Sequence, residues 1–524
     1  MEYSSVVNAL IEVFENKQQS AGSGTQFNVS KTVSTLAAIY EKARNAVEFR
    51  AEHLIRRAAI ERILKRRVML NSGSSSISEN LVLELLWAKY IDSSLISDAK
   101  ILEIQAIITK YLEARHILAA GGDTSLIPWD MLLGIASSEI EETIVSAKRR
   151  EALSNFFYQA IRPNVGTPTG DEKTSNIQVF IAVERAFAQA DDALIMYHLL
   201  KIMQPSWFEK TLNVSDELKV LTSTVAVIRE NLTAKGGESL YRYIRNHTPP
   251  FLLIRDFFLE VDGKAREIIS DPKQLEEKLS SICAHKYMEI GTKIRRAVVR
   301  SIIYIFLTKM VFAFALEAPF DILIQKRVDY LPLAINSLFP PLLLFLVAGF
   351  ISVPGTDNTK RLIDRVKTIL YHYDDLKNEK DSYEDTIKDK GKRPVLGGVF
   401  TIFYIATFLI SFGFISYVLS ALHFSIASQI IFVFFVTLVS FFAYRIRQSA
   451  KEYEMIDRQG FLGPIVDFFF LPILRVGHLL SQEIAKLNIF IFLFDFILEA
   501  PLKVIFEVVE EWIRFIRTKK EEII

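Results

Sequence analysis

One short pattern occurs twice in this chain, as Phe312-Ala-Phe-Ala-Leu-Glu-Ala-Pro319 and as Phe494-Asp-Phe-Ile-Leu-Glu-Ala-Pro501. In each, an apolar run meets a glutamate and then a proline, which removes a backbone donor and bends or ends a helix. Two such broken helices lining one polar site would make Glu317 and Glu499 chemistry-bearing carboxylates within a bilayer. The match is short, and a helix terminator used twice accounts for it more simply. Lys309 stands in an apolar stretch, where an unpartnered ammonium costs on the order of 3 kcal/mol. Asp495 and Glu499 lie one helical turn apart and would supply a partner, so a structural clasp is the expected arrangement. Asn336 precedes the pair Pro340-Pro341, for which a kink is the favoured role over an ion site at exposed carbonyls.

For metals, Glu184, Asp191 and His198 recur at heptad spacing and so fall on one face of a continuous helix. Glu113 and His116 form a Glu-x-x-His. A carboxylate-bridged dinuclear centre needs two such motifs, and the chain offers one. A buried polar seam is therefore expected at 184–198, with no metal and no cofactor. The run Leu54–Leu70 carries Arg56, Arg57, Arg62, Lys65, Arg66 and Arg67 among apolar residues. It suits either anionic lipid headgroups or, more simply, a solvated face of a bundle helix. Nucleic acid is not expected, because no aromatic interleaving accompanies the basic residues. No phosphate-binding loop, dinucleotide fingerprint, His-Glu-x-x-His or nucleophile elbow occurs, and a non-enzyme is expected.

The elements that carry these residues follow from composition. The 524 residues include 50% hydrophobic and 23% charged residues, with a mean hydropathy of +0.23. That mixture predicts a mosaic of soluble and membrane regions. A formal net charge of +1 argues against a dedicated nucleic-acid binder, and a single cysteine, Cys283, excludes an intramolecular disulfide and a thiolate metal cage. The N-terminus lacks the apolar core of a cleavable signal, so none is expected. Residues 1–290 read as an all-α cytoplasmic bundle, with helical patterns from about Ser30 to Leu70 and over 79–91, 98–118, 128–161, 177–203, 216–232 and 274–287.

About four spans are predicted beyond it, at 297–316, 331–353, 395–419 and 426–444, the last two forming a hairpin with an uncharged connection. Lys293, Arg295 and Arg296 precede the first span, and the charged loop 354–394 holds ten Lys and Arg. Arg445, Arg447 and Lys451 follow the fourth. These place the N-terminal domain and the loop on the cytoplasmic side of, in all expectation, the cell membrane. Only Lys326-Arg327 dissent. Residues 448–524 read as amphipathic interfacial helices, with Leu502, Ile505, Val509, Trp512 and Ile516 on one stripe. The whole is expected to be a membrane scaffold whose bundle binds protein partners, or copies of itself, beside the lipid bilayer. A channel or transporter built around Lys309 and the Glu-Ala-Pro elements is the alternative.

Overall fold

The computed structural model describes residues 4–16, 51–70, 77–121, 127–166, 171–209, 213–234, 236–312, 318–320, 330–349, 353–378, 394–455 and 470–480, with isolated positions between 34 and 41, at 322 and 351, and within 508–516. Among them the chain is all-helical and contains no strand.

The helices of the first core are α2 (Glu52–Leu70), α3 (Ile77–Trp87), α4 (Asp98–Gly121), α5 (Trp129–Ile144), α8 (Asp192–Met203) and α9 (Val214–Leu232); α1 (Ser5–Glu15), α6 (Lys148–Ile161) and α7 (Glu172–Val183) complete the order to that point. Leu54, Ile60, Leu81, Leu85, Ile104, Tyr111, Ile135, Leu194, Leu200, Trp207 and Leu221 share that core. A second core joins α1, α6 and α7 to α10 (Gly237–Val261), α11 (Ala265–Ser270), the root of α12 (Pro272–Phe312) and α14 (Thr356–Tyr371). Phe14, Phe157, Phe257, Leu279, Val366 and, from far along the chain, Tyr453 meet there. The described residues of 1–290 thus fold around two apolar centres, and the second recruits chain from beyond them.

Several elements depart from expectation. The single pattern over 128–161 is two helices, because the chain turns at Val145, whose N–H caps Glu141. The pattern over 177–203 is interrupted by a π-helical turn at Glu184–Ala188, and Gln189 adopts φ +55°. The chain then restarts with Asp191 as N-cap, its carboxylate accepting from Leu194 N. The heptad register from 184 to 198 is therefore broken. Helix α10 lies outside the helical patterns read from the sequence; it continues through Pro249-Pro250, and Thr248 donates its hydroxyl to the Ile244 carbonyl. The segment 354–394 is not simply a loop. Its first part is α14, whose Leu362, Ile363, Val366, Ile369 and Leu370 are buried against α10 and α12.

Among the described residues three helices are long and apolar enough to cross a membrane, within α13 (Tyr330–Gly349), α15 (Pro394–Ala421) and α16 (Ile426–Ala450). The expected first span at 297–316 is described as far as Phe312, where it is the upper part of α12, which runs unbroken for 41 residues from the second core. It packs against α13 and α16, with Ile305, Leu344, Phe435 and Val439 at the contact. A short helix α17 (Phe470–Leu480) follows. The stretch 379–393, both Glu-Ala-Pro glutamates (Glu317 and Glu499), Asp495 and most of 448–524 lie outside the described residues.

Candidate functional site

A cluster of ionisable side chains lies at the seam between the two cores. The turn between α5 and α6 carries Glu142 down one side and Arg150 and Glu151 up the other, so Arg150 Nη2 donates to Glu142 Oε1 at 3.0 Å. The π turn swings Glu184 toward α8. His198, on the second turn of α8 and only 8% exposed, lies between the two carboxylates. Its Nδ1 is 2.9 Å from Glu184 Oε2 and its Nε2 is 2.8 Å from Glu142 Oε1. Lys201, one turn further, donates to Glu151 Oε1 at 2.7 Å and stands 3.5 Å from Glu142 Oε2.

Three carboxylates (Glu142, Glu151, Glu184) thus face three cationic groups (Arg150, His198, Lys201). Burial opposes charge on His198, but the Glu184 and Glu142 carboxylates outweigh it and hold the imidazole well above its ordinary range, as imidazolium. Burial would raise the Glu142 carboxyl; its hydrogen bond to His198 and the charges of His198, Arg150 and Lys201 reverse this and keep it ionised. Lys201 is likewise raised, against burial, by Glu151 and Glu142.

Beside this cluster opens a cleft of about 1380 Å³. Its lining includes Val13 and Asn16 from α1, Lys100 from α4, Lys148, Arg149 and Asn155 around α6, and Glu184, His198 and Lys201. Cations outnumber carboxylates on its walls.

Of the expected polar seam, Glu184 and His198 come together while Asp191 leaves. The Asp191 carboxylate instead accepts from Arg57 Nη2 at 2.5 Å. Glu142, which sequence spacing could not connect to His198, takes its place. Glu113 and His116 are exposed on α4 and join no cluster.

The basic run on α2 is engaged by carboxylates of the fold. Arg56 and Arg57 are buried, the former donating through Nε and Nη2 to Glu141 Oε1 at 3.0 and 2.8 Å. Arg62 pairs with Glu41 at 2.8 Å, and Arg66 and Arg67 both hold the buried Glu84. Lys65, bound to Asp130 at 2.7 Å, is the most exposed of the six. Acids scattered over more than a hundred residues neutralise the run, and only folding brings them to it.

Among the apolar helices, Lys309 is fully buried with its ammonium 5.1 Å from the centre of the Phe435 ring. Asn336 donates to the Ser428 carbonyl at 3.3 Å, joining α13 to the first turn of α16. Helix α13 continues across Pro340-Pro341.

No family model, curated protein or solved structure matches the chain.

Proposed function

We propose that this protein is an integral membrane scaffold, with four crossings and a cytoplasmic helical bundle that holds an acidic segment of a partner protein at the membrane face. The observation that carries the binding role is the cleft at the seam. Small-molecule pockets run roughly 300–1,000 Å³, and this one reaches about 1380 Å³. Its size suits a stretch of polypeptide, and the predominance of Lys100, Lys148, Arg149 and Lys201 on its walls suits acidic side chains.

The count of four crossings is supported by parity. The root of α12, α14 and Tyr453 all contribute to one core. Between that root and α14 the chain must cross an even number of times. Helix α13 supplies one crossing, and residues 291–312 of α12, about 33 Å long at 1.5 Å per residue, are available for the other. Helices α15 and α16 supply two more before Tyr453. Every cationic cluster at these roots then shares one side, as cytoplasmic retention requires.

Single cysteines at Ser420, Lys326 and Lys451, in a Cys283→Ser background, test the topology by labelling intact cells. External labelling at 420 and 326 but not 451 is expected; protection of 326 would remove α12 from the crossings. A photo-crosslinker at Asn155 tests the binding role. It should trap one partner that a crosslinker at Leu259 does not, with capture lost in Lys148→Glu. The competing reading, a channel or transporter, rests on the ammonium of Lys309 buried among apolar helices. Ion flux through reconstituted vesicles that Lys309→Ala abolishes would replace the scaffold reading with that one.

A further inference from the structure

The Glu142–Glu151–His198 constellation is more than a set of ion pairs. We propose that Glu142, Glu151 and Nε2 of His198 form a binding site for a divalent transition-metal cation of the zinc class, with Glu184 holding the imidazole from behind. The site goes beyond the scaffold reading and does not rest on it.

The donor atoms of these three residues lie within 4.8 Å of one another. A tetrahedral dication with ligands at about 2.1 Å holds its donors roughly 3.4 Å apart. The 2.8 Å separation of His198 Nε2 from Glu142 Oε1 must therefore open by about half an ångström, within reach of side-chain adjustment. Binding displaces the Nε2 proton of the His198 imidazolium to solvent through the cleft, so that the imidazole nitrogen and the carboxylate oxygens form a donor set such ions accept, completed by a water from the cleft.

Two further features point to a ligand. His198 Nδ1 is engaged by Glu184 at 2.9 Å, the outer-sphere carboxylate that fixes the tautomer and ring orientation of metal-binding histidines. Glu184 reaches it because it opens the π turn, a local distortion frequent at functional sites. A cation also already bridges the carboxylates: Lys201 Nζ lies 2.7 Å from Glu151 Oε1 and 3.5 Å from Glu142 Oε2. The Lys201 side chain is 44% exposed and lines the cleft, so it can swing out as an ion enters. The three ligands come from α5, α6 and α8, so the ion would tie the first core to the second.

The test uses the full chain in detergent, freed of metal with chelator and titrated calorimetrically with Zn²⁺, with Mg²⁺ as comparator. One Zn²⁺ per chain is expected, with Mg²⁺ binding far more weakly. Glu184→Gln should weaken Zn²⁺ by about 10–100-fold, and His198→Gln and Glu151→Gln by at least as much. Lys201→Ala should tighten it by removing the competing ammonium. X-ray absorption of the Zn²⁺ complex should show one imidazole among oxygen donors. Absence of stoichiometric Zn²⁺ binding in both the parent chain and Lys201→Ala would overturn the site. So would Zn²⁺ binding that Glu151→Gln, a partly exposed and structurally mild change, leaves intact. Because no partner enters these measurements, their failure leaves the crosslinking result standing, and the converse holds.

Discussion

Asn358, near the start of α14, and Tyr453, just beyond α16, are joined across 95 residues of sequence: Asn358 Nδ2 donates to the Tyr453 carbonyl at 2.8 Å. The same amide donates to the Tyr287 hydroxyl at 2.9 Å and accepts from Met455 N at 2.8 Å. The Tyr453 hydroxyl in turn donates to Asp256 and accepts from Arg255 at 3.1 Å. One carboxamide therefore ties the start of α14 and the segment after α16 to each other and to Tyr287 on α12.

Replacing Asn358 by Leu leaves the Tyr453 carbonyl and the Met455 N–H without their partner. The expected cost is about 1–3 kcal/mol, seen as a lower unfolding temperature of the purified protein and faster proteolysis near residue 455. An unchanged profile would show that the segment after α16 is held by its apolar contacts alone.

Arg56 and Glu141 form a buried pair, with side chains 8% and 1% exposed. Arg56→Met strands a buried carboxylate and should destabilise by roughly 3–5 kcal/mol, moderated by the second guanidinium, Arg150, at 3.4 Å. Adding Glu141→Leu should recover most of that loss. A double variant no better than the single one would contradict the pairing.

Gly477 on α17 permits a close crossing with α16. A Cβ built there would lie 2.1 Å from the Thr437 carbonyl oxygen and 2.8 Å from Phe441 Cβ. Gly477→Ala must push the helices apart, at about 1–3 kcal/mol. Gly413→Ala, where nothing lies within 4 Å, should be silent. Equal melting temperatures for the two variants would argue against the crossing.

His53 contributes a pH dependence. Burial, reinforced by the charges of Arg150 and Arg56, lowers its pKa from 6.5 to about 3, and its Nε2 is buried without a hydrogen-bond partner. Below about pH 6.5 the unfolded chain takes up a proton that the folded chain refuses, so stability falls as pH drops from there toward 3. Melting temperatures between pH 7.5 and 5 should decline more steeply for the parent chain than for His53→Gln. Identical slopes would assign the decline to other groups.

The sequence by itself determined the helical class and the apolar helices α13, α15 and α16, because those signals are local: hydropathy over some twenty residues and a 3.6-residue period need no partner. It also singled out Glu184, His198, Lys309 and Asn336. Tertiary structure decided everything that depended on chain reversal. The turn at Val145 brought Glu142 and Glu151 to His198, and the π turn with left-handed Gln189 removed Asp191 from the face its spacing had assigned. The basic run of α2 became buried because Glu41, Glu84, Glu141 and Asp191 arrive from distant elements. The recruitment of α14 and Tyr453 into the second core was equally hidden. Periodicity reports which face of a helix is apolar; it carries no information about which distant segment covers that face, and ion pairs across such contacts exist only once it is covered.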